Sequence, residues 1–169
     1  VREEARALGL IFGDSSALDA LRKTLVSKSV NITERRKALN ILVEKQAPDL
    51  ASSLQELLKE KELRADALRG LAAYDDPGTP GAILKLFPSL SDSEKAFATN
   101  TLASRKNYAG ALLHALSSGQ LNRKDISVPI ARQIQSLGDK DLSALLKKHW
   151  GEIRPIAADK AKRIKEYKG

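Results

Sequence analysis

Apolar residues in this chain recur three and four positions apart inside short segments, and the segments themselves recur. Between Leu63 and Leu90, Ala67, Leu68, Leu71 and Ala72 form one such segment, and Ile83, Leu84 and Phe87 form a second. That spacing places the side chains on one face of an α-helix. Asp75-Asp76-Pro77-Gly78 separates the two. Proline is tolerated only in the first turn of a helix and glycine accepts positive φ, so this punctuation ends one helix and starts the next. The stretch reads as helix, turn, helix.

The same unit returns along the chain. A small residue followed by a larger aliphatic one turn later appears at Ala7/Ile11, Ala38/Leu42, Ala67/Leu71 and Ala98/Leu102, and Ile130/Ile134 takes that place in the fifth unit. The period is about thirty residues. The second segments keep step: Leu18-Leu21-Leu25, Leu50-Leu54-Leu57-Leu58, Ile83-Leu84-Phe87, Leu112-Leu113-Leu116 and Leu142-Leu145-Leu146. Asn31-Ile-Thr-Glu34, Ser91-Asp-Ser-Glu94 and Asn122-Arg-Lys-Asp125 carry N-cap signals, since short polar side chains accept bonds from first-turn amides. The pattern predicts helices near 2–12, 15–28, 32–46, 49–60, 62–74, 80–88, 92–104, 107–118, 124–137, 139–149 and 157–168. Pro129 falls inside the ninth, so that helix should start near Ser127 or bend there.

A two-helix unit of this length is too small to bury its own apolar face, so neighbours must stack and share a core. The expected fold is all-α: an α-α superhelix, or HEAT-like solenoid, of about five helical hairpins over 1–152, followed by a basic C-terminal helix or linker over 153–169. The signatures of tetratricopeptide and ankyrin repeats are absent from the sequence, and a four-helix bundle would need fewer, longer helices. Composition agrees. Of the 169 residues 42% are hydrophobic, mostly Leu and Ala, which favour helix, and only 4% are aromatic. The longest apolar run, Leu8 to Phe12, is far short of a membrane span. There is no cysteine, which removes disulfides, thiolate metal sites and cysteine nucleophiles from consideration. The chain opens on Val-Arg-Glu-Glu-Ala-Arg, already helical in pattern and without methionine, which reads as a piece of a longer protein.

The net charge of +8 is uneven. From Lys147 onward it is +5, leaving +3 for the 146 residues before. The candidate binding residues are therefore Lys147, Lys148, Arg154, Lys160, Lys162 and Arg163, either as the solvated face of a terminal helix or as a contact for phosphates.

From Ala67 onward the chain resembles a family. The run ALRGLAAYDDPGTPGAILKLFPSLSDSEK, then NTLASR, YAGALLHAL, RKDIS and RQIQSLGD, and finally Trp150-Gly151, Arg154-Pro155, Asp159-Lys160 and Ile164, is similar to the helical-repeat region of large haem-binding proteins of planctomycetes and verrucomicrobia. The resemblance covers roughly the last hundred residues. It implies a spacer lying between a propeller resembling sugar dehydrogenases and a c-type cytochrome domain bearing Cys-x-x-Cys-His, in an extracytoplasmic setting. Haem c would then belong to the parent protein, and no cofactor is expected within this chain.

Other constellations favour structural readings. His114 and His149 lack the spacing of a metal pair. Glu3-Glu4, Asp75-Asp76 and Asp139/Asp141 are carboxylate clusters, of which Asp75, Asp76 and Asp139 lie beside helix starts, where capping is expected. Gly78-Thr-Pro-Gly81 reads as a turn, and Trp150 as a buried closure of the last repeat rather than a stacking platform. The expected function is a non-catalytic scaffold or interaction module whose partners are proteins or flanking domains. The alternative is a nucleic-acid-binding solenoid of the DNA-glycosylase kind. That reading needs Arg22, Lys23, Arg35, Arg36, Arg69 and Arg105 along one face, yet several of these alternate with acids in sequence.

Overall fold

The structure, a computed structural model, describes residues 15–153. The expected helices at 2–12 and 157–168 lie outside the described residues. Those described form nine α-helices and no strand: α1 (15–26), α2 (Ile32–Glu44), α3 (Leu50–Leu57), α4 (Lys61–Gly70), α5 (Thr79–Leu86), α6 (Asp92–Leu102), α7 (Lys106–Ser117), α8 (Val128–Ser136) and α9 (Lys140–His149). Short 3-10 turns at Leu71–Ala73, Phe87–Ser89 and Arg123–Asp125 complete the helical segments. No helix among the described residues is long and apolar enough to cross a membrane.

The helix starts follow local hydrogen-bonding chemistry. Asn31 accepts from the Glu34 amide at 3.0 Å and caps α2. Ser91 and Glu94 form a reciprocal box ahead of α6: the Ser91 amide donates to Glu94 Oε2 at 2.8 Å and the Glu94 amide to Ser91 Oγ at 3.3 Å. Asp139 accepts from the Asp141 and Leu142 amides and caps α9. Two expectations change. The segment drawn as one helix from 124 is a capped 3-10 turn, with Asn122 and Asp125 bonded reciprocally, and then α8 starting at Val128. Pro129 has no amide hydrogen and so falls in the first turn, behind the cap position Ser127. Asp76 is not a helix cap. Its Oδ1 accepts from the Gly78 amide at 2.9 Å and from Gln55 Nε2 at 2.7 Å, closing the turn and tying it to α3.

Contacts divide the chain into two compact units, Val1–Leu102 and Ala103–Gly169. In the first, α2, α4 and α6 pack in succession, and α3 packs on α4 and α5. The first helices run parallel, because starts meet starts and ends meet ends. Arg36 reaches Asp66 and the Glu62 carbonyl, and Val43 faces Gly70. Arg64 reaches Glu94, and the Thr101 hydroxyl donates to the Leu68 carbonyl at 2.6 Å. Ala38, Ala67 and Ala98, the small residues of the repeat, are buried where these helices approach, with Leu39, Leu42, Leu54, Leu63, Leu68, Leu71 and Ile83 filling the interior.

In the second unit α9 packs on α7 and α8. α7 and α9 are also parallel, since Lys106 lies near Asp139 and Gly110 near Leu142. Tyr108, Leu112, Leu113, Ile134 and Leu146 are buried there. Leu145, read from the sequence as part of the inner face of its helix, is instead exposed.

Candidate functional site

Two arginines at equivalent repeat positions connect the helices of the first unit. Arg35 Nε donates to the Leu25 carbonyl at 2.7 Å while its Nη1 lies 2.8 Å from Glu60 Oε2. Arg64 Nε donates to the Leu58 carbonyl at 2.6 Å while its Nη1 lies 3.4 Å from Glu94 Oε1. Both guanidiniums are buried. Each satisfies a carbonyl at the end of the preceding helix, where intrahelical donors run out, and meets a carboxylate at the start of a following helix, all within the first unit. The bond from Arg35 holds the Glu60 carboxyl below its ordinary value against the opposing effect of burial. Burial raises Glu94, but bonds from the Ser91 amide and hydroxyl and from Arg64 outweigh it and the net shift is downward.

Beside these latches, α2 and α4 enclose a groove of about 420 Å³. Its floor is Leu39, Val43 and Gly70. A Cβ at Gly70 would stand 2.9 Å from Val43 Cγ2 and 3.3 Å from Leu54 Cδ1, so the missing side chain allows α4 to approach α2. Asn40 and Glu44 stand on the α2 wall, Asp66 and Arg69 on the α4 wall. Asp66 is buried and accepts from Arg36 Nε at 2.8 Å and from Arg69 Nη2. One carboxylate between two guanidiniums leaves a positive charge in excess, and Arg69, with 55% of its side chain exposed, presents it. The Arg69 guanidinium lies 4.8 Å from the centroid of the Phe97 ring, a cation–π contact that fixes its orientation.

Asn40, Arg69 and Asn100 each follow a core alanine, Ala38, Ala67 and Ala98, by two residues, and all three are exposed. Their shared register assigns them to one polar row of the three parallel helices. Sequence reasoning weighed Arg69 only as a phosphate contact and missed Asn40, Glu44 and Asp66. The register to the core alanines was the signal that could have placed Asn40 in that row, whereas the buried carboxylate of Asp66 looked like an ordinary surface charge.

The basic residues read from the sequence fare differently. Lys147 is exposed and paired with Glu152 at 2.8 Å, which raises the lysine and lowers the carboxyl. Lys148 is exposed. Arg154, Lys160, Lys162 and Arg163 lie outside the described residues. Of the arginines considered for phosphate contact, Arg22 donates to the Pro48 carbonyl, and Arg35, Arg36 and Arg69 are bonded to carboxylates. Arg105 lies 6.0 Å from the centroid of the Tyr108 ring, and Lys23 is exposed.

Trp150 is buried at the end of α9. Its Nε1 donates to the Ile126 carbonyl at 2.7 Å, and Arg123 lies 5.2 Å from its ring centroid. His114 is exposed on α7 and His149 half-buried. Among the described residues no group of three or more His, Asp or Glu is placed to hold a metal ion. No protein-family model, curated protein or solved structure matches the chain.

Proposed function

We propose that this chain is a non-catalytic helical-repeat module that holds and presents surfaces to other proteins or flanking domains. Its hairpins would stack as a HEAT-like solenoid. The observation that carries the reading is the pair of buried arginines, Arg35 and Arg64, at one position of successive units, each bonded backward to a carbonyl and forward to a carboxylate. Such a residue serves the joining of one unit to the next, which is the property a repeat array depends on. The resemblance described above extends the proposal to a spacer between a propeller-like dehydrogenase domain and a c-type cytochrome domain. A Cys-x-x-Cys-His encoded shortly beyond Gly169 supports that extension, and another kind of domain there removes it.

The nucleic-acid alternative draws on the net charge of +8. Against it, three of the arginines it needs are already bonded to Asp66 or Glu60. A basic surface that tracks phosphates binds duplex DNA with steep salt dependence. Fluorescence anisotropy with a labelled duplex at physiological salt is expected to show no saturable binding. Micromolar binding that weakens steeply with added salt overturns the module reading in favour of the alternative. Small-angle scattering tests the solenoid: the stacked-hairpin reading requires a particle more elongated than a sphere of this mass.

A further inference from the structure

The groove between α2 and α4 carries chemistry that the latches do not use. Glu44 stands exposed on its α2 wall and Arg69 on its α4 wall, where Asp66 is buried between its two guanidiniums, above an apolar floor. Arg69 is held by Asp66 on one edge and by Phe97 against its face, so its remaining donors point outward from a fixed position. Asn40 and Asn100 flank it in the same row, and each amide offers a donor and an acceptor together, the pair that an extended backbone can satisfy. Neighbouring packed helices are about 8–10 Å apart, and a chain extended in the polyproline-II form advances about 3.1 Å per residue with about three residues per turn, so side chains three apart share a face and span one wall to the next.

Resting on the interaction-module reading, we propose that this groove receives an extended peptide segment of mixed charge. An acidic side chain of the segment meets Arg69, a basic one three residues away meets Glu44, and the peptide backbone bonds to the Asn40 and Asn100 amides. A phosphate backbone is disfavoured at this place, because Glu44 and Asp66 stand beside the single excess positive charge.

The test uses three capped heptapeptides titrated into the ¹⁵N-labelled chain. Two carry Lys and Asp three positions apart, in opposite orders, within an Ala/Leu background; the third has Ser at both positions. One of the charged orders is expected to shift the Gly70 backbone amide and the Asn40 and Asn100 side-chain amides saturably, with affinity roughly fivefold above the Ser control, the size of an exposed ion pair. Arg69→Gln keeps a donor for Asp66 and is expected to bring that peptide to the level of the control without moving the melting temperature. Glu44→Gln, at an exposed position, provides the second check and should act in the same direction. The proposal is overturned if neither order exceeds the Ser control, if the shifts fall elsewhere, or if a short DNA duplex displaces the peptide from these signals. Failure of the peptides alone leaves the module reading intact, because that reading is decided by the DNA and scattering measurements.

Discussion

Replacing Arg64 by methionine isolates what its guanidinium contributes. Methionine keeps most of the aliphatic stem, so packing around α4 is largely retained and the polar bonds are what is lost. The Leu58 carbonyl, reached at 2.6 Å, then has no guanidinium donor at the end of α3. A buried acceptor left in that state costs about 1–3 kcal/mol. Glu94 suffers less, since Arg64 meets it only at 3.4 Å and the Ser91 amide and hydroxyl remain bonded to it at 2.8 and 2.9 Å. The backbone bond therefore dominates, and Arg64→Met is expected to cost about 2 kcal/mol in all. For a chain of this size that corresponds to a fall in melting temperature of about 4–8 °C. Urea titrations followed by circular dichroism at 222 nm, on Arg64→Met, Glu94→Gln and the double variant, give the coupling energy. It should be below about 1 kcal/mol, the range of a weak ion pair. A loss under about 0.5 kcal/mol for Arg64→Met, or a coupling that accounts for most of it, refutes the assignment of the stabilisation to the Leu58 bond.

Gly70→Ala is expected to destabilise by about 1–2 kcal/mol in the same titration, although alanine is the better helix former, because its Cβ meets Val43 Cγ2 at 2.9 Å; pairing it with Val43→Ala relieves the contact and recovers part of the loss. Trp150→Ala should cost about 3–5 kcal/mol, and Trp150→Phe about 1–2 kcal/mol by leaving the Ile126 carbonyl without its indole donor, both read from thermal unfolding. The pH dependence follows from Glu60 and Glu94, whose carboxyls are lowered in the fold from the ordinary 4.5. Folding binds fewer protons at these groups than the unfolded chain does, so their stabilisation is fully present above pH 4.5 and is lost as pH falls through the lowered folded values. Urea midpoints measured from pH 7 to pH 3 should show that loss, and Glu60→Gln with Glu94→Gln should flatten it. Lys147→Ala should leave the melting temperature unchanged, since both it and Glu152 are exposed to solvent.

The helical class, the positions of the helices and most of their starts were legible in the sequence, and the reason is local. Three-and-four spacing of Leu and Ala selects a helix face, and Asn31, Ser91, Asn122 and Asp139 bond to amides within three residues of themselves. Pro129 likewise marked a place where its helix either starts or bends, because a missing amide hydrogen is a property of one residue, and the structure shows the start. What lies between helices was not legible. Asp66, two residues after Arg64 and four after Glu62, looks like mixed surface charge, yet packing of α4 against α2 buries it between Arg36 and Arg69. Arg35 reads from the sequence as a candidate phosphate contact, whereas it and Arg64 are buried, each bonded to a carbonyl of one helix and a carboxylate further along the chain, partners up to 30 residues distant. Periodicity thus determined which residues face inward. Only the tertiary structure decided which charges meet, since ion pairing depends on distances between elements that no stretch of sequence contains.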